Sequence, residues 1–210
     1  TIIEMFMVEA NEAVSRLFDG LGISILRRIH PEPAMDDLAD LRMMAGASGF
    51  RVPDDPDRKD LQKLLNATRG HSASRAIHFA VLKTLTKAEY SPAAVGHFAL
   101  ASDHYAHFTS PIRRYPDLIV HRALEAWLEQ TANGTESFGG RKRSQMEQSL
   151  RDDERTISEN DLVSLGRHCS DTEGTSAAAE RSLREFLVMQ YLHEHHLGEE
   201  VPAVVRASIP

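Results

Sequence analysis

Residues 107–122 read HFTSPIRRYPDLIVHR, and this stretch decides what the chain is. Thr109, Ser110 and Pro111 make a tight turn, Arg113, Arg114 and Tyr115 follow, and Pro116 then opens an apolar helix. Arginine stays charged at any physiological pH and presents a planar fork of donors. Two guanidiniums fixed beside a turn therefore suit phosphate. For an arbitrary pair of arginines the plainer alternative is a helix start with solvated side chains.

Working outward, Ile119, Ala123 and Trp127, with Val120, Leu124 and Leu128, give that helix an apolar face. Just before it, residues 96–108 (GHFALASDHYAHF) carry dense aromatics and few helix signals, which predicts a strand. Upstream, Ile3, Phe6, Met7, Ala10, Val14 and Leu17 mark a helix over residues 2–18 with Gly20 as its stop. Residues 23–29 form a β-branched run, a predicted strand closed by His30-Pro31-Glu32-Pro33. Residues 36–45 predict a helix through Leu38, Leu41 and Met44; residues 53–57 a turn; residues 61–67 and 72–85 two more helices. Downstream, residues 131–145 (TANGTESFGGRKRSQ) predict a polar connection that includes the basic cluster Arg141-Lys142-Arg143. A long helix is expected from about Asn160 to His196, ended by Gly198, with Leu162, Leu165, Ala178, Leu183, Phe186, Leu187 and Tyr191 inward. Gly174-Thr175-Ser176 is its weak spot, since a helical glycine costs about 1 kcal/mol relative to alanine.

Composition bounds the function classes. The chain has 210 residues, 41% hydrophobic and 26% charged, an ordinary globular balance. No apolar run reaches the ~18 residues that a membrane span needs. Cys169 stands alone, which excludes an internal disulfide and suits a reducing compartment. The formal charge of −7 argues against a general nucleic-acid surface and leaves local patches such as Arg113-Arg114. The acidic, amphipathic start is no signal peptide. A first residue other than Met and a final VPAVVRASIP that reads as a strand cut short lead us to expect a piece of a longer protein.

Two other constellations compete with the arginine turn. His107-Phe108-Thr109 and His168-Cys169-Ser170 match the His-x-Thr/Ser signature of a two-histidine phosphoesterase, one histidine as base and one as acid. Among eleven histidines such matches arise readily by chance. Asp36, Asp37 and Asp40, or Asp54, Asp55 and Asp57, are carboxylate clusters of the kind that holds Mg²⁺. The first group also sits where a helix start favours acids, and the second flanks a proline turn. His193, His195 and His196 read as partners of a helix C-terminus.

The string GHFALASDHYAHFTSPIRRYPDLIVHRAL, residues 96–124, resembles the signature of the RNase II/RNase R family of exoribonucleases, the RNB domain. Further pieces follow in the family's order. IEMFMVEANEAV, residues 3–14, is similar to its IEExMxxAN helix through Glu4, Met7, Ala10 and Asn11. RRIHPEP, residues 27–33, resembles the strand and turn after it. HCSDTEGTSAAAERSL, residues 168–183, is similar to the family's long helix, with Glu180 at the place of an RNA-facing glutamate. GEEVPAVVRASIP, residues 198–210, looks like the opening strand of an OB-fold RNA-binding domain. Residues 34–90 carry few diagnostic positions, and Gly174-Thr175 stands where many relatives have arginines.

The resemblance implies an α+β, helix-rich fold: the C-terminal part of an RNB catalytic domain over residues 1–197, then a truncated OB-fold strand. It implies a processive 3′→5′ hydrolytic exoribonuclease that threads single-stranded RNA and releases nucleoside 5′-monophosphates, cytoplasmic, monomeric and unconnected with membranes. Arg113 matches the family's essential arginine. Arg114 and Tyr115 would hold neighbouring RNA backbone or brace the turn; Thr109 and Ser110 would donate to phosphate or cap the next helix. Glu180 would accept from a ribose hydroxyl or pair with Arg181 or Arg184, and Glu4 would face the terminal nucleotide. Tyr105, His107 and His121 would orient the arginine. The family's Mg²⁺ is held by a D-x-x-x-A-x-D-x-D-D motif that this sequence does not contain, so catalysis is not expected of these residues alone. The rival expectation is a relative that binds RNA without cutting it.

Overall fold

The computed structural model describes residues 1–136 and 139–200, without the side chains of residues 35 and 36. The described residues divide into two compact units, one of residues 1–170 and one that begins at Asp171.

In the first unit, helix α1 spans Ile2–Leu21. It opens with a capping box, in which Thr1 Oγ1 accepts the Glu4 N–H at 3.2 Å. Gly22 closes it in the left-handed region at φ 63°, a conformation that glycine adopts without a Cβ penalty. The expected stop at Gly20 is therefore two residues early. The inward side is also different: Asn11, Ser15, Phe18 and Leu21 are buried, whereas Ile3 and Phe6 are each 72% exposed. Apolar spacing finds a face, but burial requires an element opposite it, which here covers only the C-terminal half of α1.

Strand β1 is Arg27–Ile29, shorter than the predicted run, and β2 is Glu89–Ser91, which the sequence pattern did not mark. They pair antiparallel with Arg28 opposite Tyr90. The strand predicted over residues 96–108 is not regular. It meets β1 and the residue that follows it at separate points, Arg28 N–H to Tyr105 O and His30 N–H to Gly96 O, both 3.0 Å, and it contains a 3₁₀ turn at Phe98–Leu100. Ala101, with φ 62°, breaks the extended path.

Helices α2 (Met35–Ala47), α3 (Arg58–Ala67) and α4 (Ser74–Thr84) pack through Leu38, Leu41, Leu61, Leu64, Ile77 and Val81. Ala45, not Met44, takes the next inward position of α2. Asp57 caps α3, its carboxylate accepting the Asp60 N–H at 2.7 Å. Helix α5 covers Tyr115–Gln130, and α6, Gly140–Arg151, occupies part of the expected loop, with Arg141, Lys142 and Arg143 in its first turn. The main core joins Phe18 and Leu21 of α1, Ile23 and Ile25, Val120, Ala123 and Ala126 of α5, and Leu150 of α6. A third cluster ties Leu26, Tyr90 and Ile119 to Leu162 and Cys169 of helix α7, Glu159–His195. α7 comes so close to β2 that a Cβ on Gly166 would stand 2.4 Å from the Tyr90 carbonyl oxygen.

In the second unit, α7 continues through Gly174 without a break, and Thr175 Oγ1 donates to the Asp171 carbonyl at 2.9 Å. The inward face expected there is solvent-facing, with Leu183, Phe186, Leu187 and Tyr191 all more than half exposed. The expected OB-fold strand lies, from Val201 onward, outside the described residues.

Candidate functional site

The arginine turn is built by a carboxylate reaching backwards. The Arg113 and Arg114 N–H groups both point to the Ser110 carbonyl, at 3.3 and 3.2 Å. Pro116 and Asp117 occupy the first turn of α5, where a proline ring fits and a negative charge complements the helix N-terminus. Asp117 is completely buried; its Oδ1 accepts the Ser110 N–H at 2.8 Å and an Arg114 Nη2 hydrogen at 2.7 Å. The helix has no side-chain cap at its N-cap position, Arg114, so neither Thr109 nor Ser110 caps it. Asp117 does the tying instead.

A second anchor comes from α1. Asn11 Oδ1 accepts the Phe108 N–H at 3.0 Å and the Thr109 N–H at 3.2 Å, while its amide nitrogen donates to Tyr105 Oη at 3.0 Å. His121 Nε2 meets the Phe108 carbonyl at 2.8 Å, and its ring stacks on Phe108 with centroids 4.2 Å apart. The backbone leading into the turn is thus held on both flanks.

With that bracing in place, the two arginines are not equivalent. Arg114 is committed to Asp117, the bracing role. Arg113 is exposed, and its guanidinium has no hydrogen bond or ion pair with any described residue. The half-buried Thr109 and Ser110 keep hydroxyls unbonded to described residues, and Tyr115 is exposed at the start of α5. Chemically, one turn of fixed backbone carries a guanidinium and two hydroxyls that have no partner among the described residues, donors of the kind suited to an anionic oxygen.

Behind the turn lies a row of rings. Tyr90 Oη meets His107 Nδ1 at 2.9 Å, and the Arg28 guanidinium stands 4.5 Å over the Tyr90 ring. Burial first, then the positive charge of Arg114, lowers the His107 pKa to about 4, so the ring is neutral near pH 7. His97, edge-on to Tyr105, is held at about 4 by burial and by its neighbours His30 and Arg28.

The other expected residues fall elsewhere. Glu4 sits in the α1 capping box, about two turns, ~10 Å, before Asn11 on the same helix face. Glu180, in the second unit, is exposed and accepts from Arg184 Nη2 at 3.2 Å, the pairing alternative to a ribose contact. The His-x-Thr/Ser signatures do not lie on facing strands, because His168 is in α7. Asp54 pairs with Arg42, and Asp57 caps α3. Among the described residues no group of three or more His, Cys, Asp or Glu side chains is placed to hold a metal ion. The described side chains do not form a set of ligands that fits the magnesium implied by the resemblance. A separate polar groove of about 630 Å³ includes Arg58 and Lys59, but Glu32, Asp55, Asp57 and Asp103 also line it, a poor match for phosphate. The sequence pattern singles out neither Asp117 nor Tyr90. An acid directly after Pro116 in a first helical turn is a signal for Asp117, but its burial is not.

Comparison with known proteins identifies the family and the fold. The RNB domain family model matches residues 1–130, which contain α1 through α5 and the whole arginine turn. The chain belongs to the RNB domain family. The RNB chain is 34% identical over 206 residues to ribonuclease R of Thermotoga maritima, covering 97% of this chain and 27% of that protein's length. It therefore spans about a quarter of that relative. Two solved structures of Mycoplasma genitalium RNase R resemble it. One, in complex with ribose-methylated single-stranded RNA, has a TM-score of 0.70 at 30% identity and covers 90% of this chain and 28% of that one. The other, with double-stranded RNA, has a TM-score of 0.72 at 29% identity and covers 94% and 33%. The helix-rich α+β class is that of these neighbours. Among the described residues no helix is long and apolar enough to cross a membrane.

Proposed function

We propose that this RNB chain supplies the arginine-bearing half of the site of a processive 3′→5′ hydrolytic exoribonuclease acting on single-stranded RNA. The observation that carries this reading is the Arg113 guanidinium, exposed and without a partner among the described residues, on a turn fixed by Asn11 and Asp117. Water attacks the phosphorus of the terminal nucleotide, the bond to the preceding 3′ oxygen breaks, and a nucleoside 5′-monophosphate leaves. Arg113 binds a non-bridging phosphate oxygen and offsets the negative charge that builds up during attack. Thr109 and Ser110 hydroxyls donate alongside it, and Tyr115 flanks the phosphate path. Glu180 reads a ribose hydroxyl and Glu4 faces the terminal nucleotide. Mg²⁺ is assigned to carboxylates outside these residues.

The test is Arg113→Ala in the full natural protein, assayed for release of mononucleotides from single-stranded RNA and, separately, for RNA binding. Hydrolysis is expected to vanish with binding largely kept. Unchanged hydrolysis would remove Arg113 from the reaction.

A further inference from the structure

We infer that Asp117 is a positioning residue whose buried negative charge selects which of the two adjacent guanidiniums meets RNA: it retains Arg114 inside the turn and leaves Arg113 alone to face the phosphate. This rests on the hydrolysis reading above and deepens it by giving Arg113 and Arg114 unequal roles.

Arg113 and Arg114 carry the same side chain; the family resemblance singles out Arg113 but supplies no physical reason for the difference. The fold separates them. The Asp117 carboxylate is 0% exposed, and the two bonds that it accepts come from the Ser110 N–H and from Arg114 Nη2. Arg114 is the cation bonded to it, because His107, which also feels Asp117, is neutral near pH 7. Arg114 Nε is itself buried. Were Arg114 to swing out to a phosphate, a fully buried carboxylate would keep one backbone N–H and no counter-charge, an arrangement that costs far more than an exposed ion pair returns. The same oxygen that retains Arg114 fixes the Ser110 backbone from which the turn springs, so the choice of arginine and the shape of the turn share one atom. Among the described residues Arg113 has no such partner.

The experiment uses Asp117→Asn in the full natural protein, which keeps the side-chain shape and the Oδ1 acceptor and removes the charge. Released from its counter-charge, Arg114 competes for phosphate. The slope of log affinity against log salt for single-stranded RNA is expected to steepen by about 0.7, one added phosphate contact. kcat is expected to fall about tenfold with KM not raised, since the added contact holds RNA out of register. The double variant Asp117→Asn/Arg114→Gln, a neutral pair with no competing cation, is expected to recover kcat to within about threefold of the natural protein. Asp117→Asn matching the natural protein in slope and kcat overturns the inference. So does a kcat loss that the double variant does not relieve while the salt slope stays put, which marks the carboxylate as structural support only. Should Asp117→Asn alone fail to fold, the neutral pair Asp117→Asn/Arg114→Gln, which leaves no buried charge unpaired, decides: a salt slope equal to that of the natural protein supports the inference, and a slope shallower by about 0.7 shows that Arg114 already holds phosphate and overturns it. The hydrolysis reading fails on a different result, full activity of Arg113→Ala.

Discussion

Asn11 and Phe108 stand 97 positions apart, yet the Asn11 side-chain oxygen accepts the Phe108 N–H at 3.0 Å. The same oxygen takes the Thr109 N–H, and the amide nitrogen serves Tyr105, so one buried side chain joins α1 to the approach of the arginine turn. Asn11→Ala leaves two backbone donors and a hydroxyl without their partner. We expect a loss of about 2 kcal/mol in urea unfolding, together with lower RNA hydrolysis because the turn is no longer held.

Arg113→Ala has the opposite profile. An exposed side chain with no partner among the described residues contributes little to folding, so the urea midpoint should shift by less than about 0.5 kcal/mol equivalent while hydrolysis disappears. A large stability loss would show that Arg113 braces the fold.

Gly166→Ala tests the packing of α7 on β2. The added methyl would lie 2.4 Å from the Tyr90 carbonyl oxygen, a backbone atom that cannot give way cheaply, and 3.2 Å from the Leu26 side-chain atom Cδ1. Destabilisation of about 3 kcal/mol is expected, read as a lower thermal midpoint.

Acid should weaken the fold through the ring row. His107 and His97 hold their protons less well in the folded chain, at about 4 against an ordinary 6.5. Between those values the unfolded chain binds more protons, so the stabilising contribution is full above pH 6.5 and drains as pH falls toward 4. A His107→Gln variant should show a shallower loss of unfolding free energy across that window, with His97 supplying the remainder. An unchanged slope would mean that His107 does not titrate as its burial dictates.

Glu180→Gln separates an exposed ion pair from an RNA contact. The Arg184 pair is solvent-exposed, so stability should move by less than about 0.5 kcal/mol. Under the proposed function the variant should lose preference for RNA over DNA of the same sequence; an unaltered preference would remove Glu180 from ribose recognition.

Most helices were readable because amphipathic spacing, caps and glycines are local. Leu38, Leu41 and Pro116 each fall where the pattern puts them. The exceptions share a cause. Residues 96–108 have strand-like composition, but Ala101 turns left-handed and the segment bonds to β1 and the residue that follows it at separate points. Ile3, Phe6 and Leu183 are apolar at helical spacing and still exposed, since periodicity describes a face and not its covering. Of the site, Arg113 was legible from its motif, while Asp117 and Tyr90 were not, because their roles arise from burial and from partners outside the motif.

The sequence by itself determined the family, the helix-rich class and the turn that carries two arginines, because motif spacing, prolines and apolar periodicity are written in neighbouring residues. Only the tertiary structure decided that Arg114 turns inward and Arg113 outward. That choice depends on a carboxylate with 0% exposure and on an α1 asparagine 97 positions from Phe108, and on the cost of leaving a buried charge unpaired, none of which neighbouring residues encode.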